Sequence, residues 1–99
     1  MFNINKTVEN GKAIIKPEGR LDTIAAPEFE SAIKETLSEI TDLTLDFTNL
    51  EYISSPGLRT LLFAHKAMSE KGKMRITNVN KTIMEIFDIT GFSEILTIE

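Results

Sequence analysis

Two adjacent serines followed by proline and glycine, Ser54-Ser55-Pro56-Gly57, are the residues whose types and spacing bear most directly on chemistry. A serine hydroxyl becomes a nucleophile only when a base activates it. The single histidine, His65, lies ten residues beyond Ser55. On one helix that separation is a rise of about 15 Å, far beyond the ~3 Å reach of a general base. The nucleophile-elbow pattern G-x-S-x-G is missing, and no oxyanion hole or pocket accompanies Asp22 or Asp46 as a substitute base. A serine hydrolase is therefore not expected, and the chain reads as a protein without catalytic residues.

Metal and nucleotide chemistry fail on the same grounds. One histidine, no cysteine and scattered carboxylates do not match zinc or calcium spacing. Gly57 lacks the glycine spacing and the lysine of a phosphate-binding P-loop. No cofactor and no metal are expected. A net charge of −4 gives no electrostatic reason to expect a nucleic-acid or anionic-membrane partner. The N-terminal run M-F-N-I-N-K-T-V lacks the apolar core of a secretory signal, so a cytoplasmic protein is expected.

The elements that must position Ser55 follow from periodicity. Phe2 to Glu9 alternates weakly, Asn10-Gly11 suits a tight hairpin turn, and Ala13 to Lys16 returns as a second strand. Pro17 should sit at that strand's end or on a sheet edge, and Gly19 to Thr23 reads as a loop with Asp22 and Thr23 as candidate caps. Pro27 opens a helix whose apolar residues Phe29, Ile33, Leu37 and Ile40 carry it to about Ile40. Leu43 to Phe47 is a third strand. After a short loop, Ser55 is read as the cap, held away from helical dihedrals by Pro56, of a helix through Leu58, Leu61, Leu62 and Met68 to about Lys71, with Gly72 as a left-handed cap. His65 falls on or beside the apolar stripe of that helix, as a packed or partly exposed side chain. Met74 to Thr77 is a fourth strand, Asn80 to Gly91 a capped helix, and Glu94 to Ile98 a final strand. Strands alternating with helices imply a mostly parallel sheet, here opened by an antiparallel hairpin. Ser55 thus lies at a helix N-terminus, where the backbone favours anionic groups.

Four motifs in order resemble the STAS domain, and within it the anti-sigma factor antagonist (anti-anti-sigma factor) family. Glu18-Gly19-Arg20-Leu21-Asp22 is similar to that family's G-x-L-D turn. Asp46-Phe47-Thr48-Asn49-Leu50 is similar to its strand end, and Phe87-Asp88-Ile89-Thr90-Gly91-Phe92 to its late helix end. Tyr52 to Leu58 falls on the family's phosphorylation motif, with Ser54 where many members carry aspartate and Pro56 where they carry serine, threonine or alanine. The resemblance implies one STAS domain over 1–99: an α/β fold with a mixed, mostly parallel sheet, an N-terminal antiparallel hairpin and about three helices. It implies Ser55 as the phosphoacceptor, with Ser54 as second choice. Asp22, Thr23, Ser54, Ser55, Pro56, Gly57 and Arg59 would meet the partner, although Asp22 reads equally well as a turn residue.

The implied partners are an anti-sigma factor that is itself a serine kinase, and a serine phosphatase. The unphosphorylated chain would bind the anti-sigma factor and release the sigma factor, and phosphate on Ser55 would end that binding. No nucleic acid and no direct membrane contact are implied, and a monomer or weak dimer is expected. The alternative keeps the fold without the switch, as an accessory subunit of a transport or signalling complex.

Overall fold

The chain begins by folding back on itself. In a computed structural model, which describes residues 2–99, strands β1 (Asn3–Glu9) and β2 (Lys12–Leu21) form an antiparallel hairpin. Asn10 and Gly11 turn it with φ of 51° and 78°, the paired positive angles that match the twist of the flanking strands. Helix α1 (Ala26–Leu37), β3 (Asp42–Asp46), β4 (Leu50–Ile53), α2 (Ser55–Ser69), β5 (Lys73–Thr77) and α3 (Lys81–Thr90) follow, and a 3-10 turn spans Phe92–Glu94. The sheet order is β1-β2-β3-β5, with β4 also paired to β2 and every pairing beyond the hairpin parallel. This is the expected α/β architecture of a mixed, mostly parallel sheet, an N-terminal hairpin and three helices.

One face of the sheet is dry. Ala13, Ile15, Leu43, Leu45, Met74 and Ile76 are buried, together with Phe29 and Ile33 of α1 and Leu61 and Met68 of α2. The alternate strand residues, such as Ile14, Thr44 and Arg75, remain partly or fully open to solvent. That alternation is the period-two signature of a sheet covered on one side.

Six expectations about the fold are corrected. Strand β2 runs through Pro17 and the supposed loop at Gly19 and Arg20, because it changes partner: Lys12 to Ile15 pair with β3, and Gly19 to Leu21 with β4. Pro17 sits between those two parallel pairings, where its missing N–H interrupts neither. The segment before α2 is not only a loop but contains the short strand β4. Helix α1 ends at Leu37, and Ile40 reaches the core from the connection that follows. Its N-cap is Ala25; Asp22 Oδ1 instead accepts from the Ala25 N–H at 2.9 Å, and Thr23 makes no cap. The final strand reduces to a single parallel bridge of Ile98 with Ile76, because Gly91 at φ 83° turns the chain into the 3-10 turn first.

Gly72 supplies the sixth. The C-cap of α2 is Glu70, in a right-handed conformation. Gly72 is needed for close approach instead, since a Cβ there would stand 1.8 Å from the Thr41 carbonyl oxygen. Neighbouring Lys73 N–H donates to that same oxygen at 3.0 Å, so the two backbone segments cannot separate without breaking the start of β5. The expected caps of α3 are present, with Asn80 Oδ1 accepting from the Ile83 N–H at 2.8 Å and Gly91 left-handed.

Gly72→Ala should therefore cost about 3 kcal/mol, as an overpacking against rigid backbone. Gly91→Ala, which meets nothing within 4 Å, pays only for its positive φ, about 1 kcal/mol. Urea midpoints of the two variants measure the difference, and equal losses would contradict this assignment.

Candidate functional site

Strand β4 delivers the chain to the site. Its last residue, Ile53, lies opposite Leu21 at the end of β2, and the next amide, Ser54 N–H, donates to the Leu21 carbonyl at 2.8 Å. The cap expected at Ser55 falls one residue earlier: Ser54 is extended at φ −95° and ψ 174° and is the N-cap of α2, because the helix already starts at Ser55, with Pro56 as its second residue. Proline suits this position because it removes an amide that has no helical partner and starts with the right φ. The first turn then sits directly on the two strand ends. A Cβ on buried Gly57 would stand 2.8 Å from Ile53 Cγ1 and 3.0 Å from Leu21 Cγ. The Thr60 hydroxyl donates to the Pro56 carbonyl at 3.2 Å, tying down the same turn.

The two serines are placed in opposite environments. Ser55 is exposed, whereas Ser54 is only 8% exposed. The Ser54 hydroxyl caps nothing: its buried Oγ has no hydrogen-bond partner, the only such side-chain atom among the described residues. An unpaired buried hydroxyl costs about 1–3 kcal/mol.

Around Ser55 the other expected site residues converge unevenly. Leu21 leads into the turn Asp22-Thr23-Ile24, which divides two open clefts. One, of about 340 Å³ between α1 and α2, is lined by Thr23, Pro27, Glu30, Pro56, Arg59 and Phe63. The other, of about 320 Å³, is lined by Phe2, Arg20, Asp22, Ile24 and Glu28. Thr23, Pro56 and Arg59 thus share one cleft, Asp22 faces the next, and Ser54 and Gly57 lie beneath the surface. The Arg20 guanidinium also stacks over Tyr52, 4.5 Å from the ring centroid. Ile24 is 89% exposed on the dividing ridge.

Glu30, Phe63 and Ile24 escaped the sequence reading. Pro56, Arg59, Thr60 and Phe63 follow the i, i+3, i+4, i+7 spacing of one helix face, as do Thr23, Ala26, Pro27 and Glu30. That spacing was the available signal, but the buried stripes of Leu58 and Leu61, and of Phe29 and Ile33, dominate it. His65 is half-buried and borders a separate recess with Met68, Gly72 and Lys73. Among the described residues no three histidine, cysteine or carboxylate side chains gather as a metal site, and no helix is long and apolar enough to cross a membrane.

Behind the site, Asp46 and Asn80 brace β4. Asp46 Oδ1 accepts from the Thr48 N–H at 3.0 Å, from the Thr48 hydroxyl and from Asn78 Nδ2 at 3.0 Å. Asn80 Nδ2 donates to the Leu50 carbonyl at 2.9 Å. Burial alone would raise the Asp46 pKa, but the Thr48 and Asn78 hydrogen bonds and the Lys16 charge outweigh it and hold the carboxyl below its ordinary value.

Comparison with known proteins agrees with this architecture. The family model described as "STAS domain" matches residues 3–99. The anti-sigma-B factor antagonist of Bacillus subtilis (strain 168) is 25% identical over 100 residues, covering 98% of this chain and 92% of that protein. The crystal structure of an anti-sigma factor antagonist from Mycobacterium paratuberculosis superposes with a TM-score of 0.89 at 17% identity, over 99% of this chain and 85% of that one. SpoIIAA from Bacillus in its phosphorylated form gives 0.75 at 19% identity, over 100% and 91%. For the two structures the likeness is one of fold.

Asp46 generates a pH prediction. Its folded-state pKa is depressed, so its contribution is fully present above the unfolded value of about 3.9 and is lost as pH falls through the folded value. Asp46→Asn should be less stable than the parent at pH 7, and the gap should narrow below about pH 4. Urea unfolding across pH 3–7 reads this directly; parallel stability curves would contradict it.

Proposed function

The chain belongs to the STAS domain family, and on that footing we propose that it is an anti-sigma factor antagonist switched by phosphate on Ser55. The unphosphorylated protein binds an anti-sigma factor and so frees the sigma factor. That anti-sigma factor is a serine kinase: the Ser55 hydroxyl oxygen attacks the γ-phosphorus of ATP, the bond to ADP breaks, and the hydroxyl proton passes to a base of the kinase. A serine phosphatase later returns the phosphoryl group to water. The chain is the substrate and the binding module of this cycle, not an enzyme, and it works in the cytoplasm without cofactor, metal, nucleic acid or membrane contact. Residues 1–99 act as one domain, a monomer or weak dimer.

The observation that carries this reading is the contrast between the two serines. Ser55 is exposed at the first position of α2, next in sequence to Pro56 of the cleft wall, whereas Ser54 is buried. A kinase must reach an acceptor oxygen, so Ser55 is the acceptor and Ser54 the support. The names of the relatives favour the same role: a Bacillus subtilis relative is an anti-sigma-B factor antagonist, and SpoIIAA, which shares the fold, takes a phosphorylated form. Asp22, Thr23, Pro56 and Arg59 form the surface read by the partner, and Ser54 and Gly57 serve it by fixing where Ser55 stands.

Charge explains why the switch spares the fold. Phosphate adds about 1.5 to 2 negative charges at neutral pH. At the N-terminus of α2 that charge meets the positive end of the helix and is tolerated by the free domain. Inside an interface it must be stripped of water or meet like charge, and a loss of about 3 kcal/mol already weakens binding by about two orders of magnitude.

Calorimetric titration of the anti-sigma factor into single variants tests the proposal. Ser55→Ala should fold, bind as the parent does, and stay bound when ATP is added. Ser55→Asp, with one charge, should keep the parent's stability yet bind at least about tenfold more weakly. Equal affinity of Ser55→Asp and the parent would contradict the electrostatic switch and leave an unswitched accessory subunit as the better reading.

A further inference from the structure

The proposed switch does not use the unpaired Ser54 hydroxyl. A buried polar group without a partner is rare enough to require an explanation. Ser54 is in the extended conformation from which an N-cap hydroxyl reaches the amides of the second and third helical residues. The second is Pro56, which has no N–H. The third, Gly57, has an N–H, and Ser54 does not accept from it. Within the first turn, Leu58 N–H is satisfied by the Ser54 carbonyl at 2.9 Å, while the Ser55 and Gly57 amides make no backbone hydrogen bond. The start of α2 is therefore a cluster of spare donors: two amides and one hydroxyl, gathered around the residue proposed to carry phosphate.

We propose that Ser54 is a positioning residue for the phosphorylated state, its hydroxyl turning to donate to the phosphate of phosphorylated Ser55 beside the free first-turn amides. One change of the Ser54 side-chain rotamer is enough, because the backbone is already that of a cap. The phosphate then receives a charge-assisted bond, and the hydroxyl gains the partner it otherwise lacks. Pro56 sharpens the requirement, since it withholds one of the amides with which a helix start normally meets an anion. Serine suits the position for a further reason. An aspartate there would set a like charge next to a phosphate dianion, whereas a hydroxyl donates to it. The ligand class is a phosphomonoester dianion, attached to this chain's own adjacent residue.

This inference rests on Ser55 as the acceptor, and the experiment separates the two. Phosphoserine is incorporated at position 55 during translation, so no kinase is needed, and the phosphate is titrated by phosphorus NMR. A kinase that ignores Ser55 would sink the proposed function and leave this titration unaffected. In the parent, the second ionisation of the phosphate should lie at lower pH than in Ser54→Ala by about half a unit or more, because a donor to the dianion is lost. Ser54→Thr, which keeps a hydroxyl, should restore the low midpoint.

Thermal unfolding supplies a second reading of opposite sign in the two states. Without phosphate, Ser54→Ala should melt at or above the parent temperature, since it removes an unpaired polar atom. With phosphate it should melt below the phosphorylated parent. The phosphorylated parent itself should melt above the unphosphorylated one, a comparison that needs no variant. Coincident titration curves for the parent and Ser54→Ala, or a parent melting temperature lowered by phosphate, would overturn the proposal.

Discussion

The close seat of the first turn of α2 on the ends of β2 and β4 is the constraint on which the site depends. Gly57 permits it, because any side chain there would drive into Ile53 and Leu21. The bond from Ser54 N–H to the Leu21 carbonyl fixes the same junction from the backbone side. With the helix start held against both strands, the residue after the cap has one place to go, and that residue is Ser55. The turn after Leu21 is held in the same frame, which is why Asp22 and Thr23 border the clefts beside it.

The supports of that junction are polar but lie away from the surface proposed for the partner. Asp46 organises the turn before β4 through Thr48 and Asn78, and Asn80 bonds to Leu50 while capping α3. These contacts set stability, whereas in the proposed switch the exposed groups set affinity. In that switch a charge on Ser55 acts at the surface; of the buried residues beside it, Ser54 alone offers a side-chain polar atom, while Ile53 and Leu58 are apolar. The two clefts and the ridge carrying Ile24 give the partner a shaped surface of mixed polarity, with Arg20, Glu28, Glu30 and Arg59 along its walls.

Local signals proved legible where one residue decides the conformation. Asn10-Gly11, Asn80 and Gly91 act within a few residues of themselves, and each forms the turn or cap its chemistry implies. Ser55 at a helix start was readable for the same reason, from Pro56 alone. What depends on distant partners was not. Strand β4 is four residues long and exists because β2 extends past Pro17 to pair with it. Gly72 looks like a helix cap in sequence, yet it answers to Thr41, the residue just before β3 and far from it in sequence. Glu94 to Ile98 has the apolar alternation of a strand but only one bridge to make. The cleft walls Glu30 and Phe63 are a product of how α1 lies on α2, and their helical spacing is masked by the stronger buried stripes of the two helices. The burial of Ser54 beside an exposed Ser55 is likewise a tertiary fact, since the two residues are identical in sequence.

The account stands or falls on which atom receives phosphate. Incubating the protein with ATP and an anti-sigma factor kinase, then measuring intact mass and mapping the modified peptide, addresses that directly. The account predicts one added phosphate, on Ser55, together with dissociation of the complex with the anti-sigma factor. Phosphate on Ser54 instead, or none at all from a kinase shown to be active on another substrate, would contradict it.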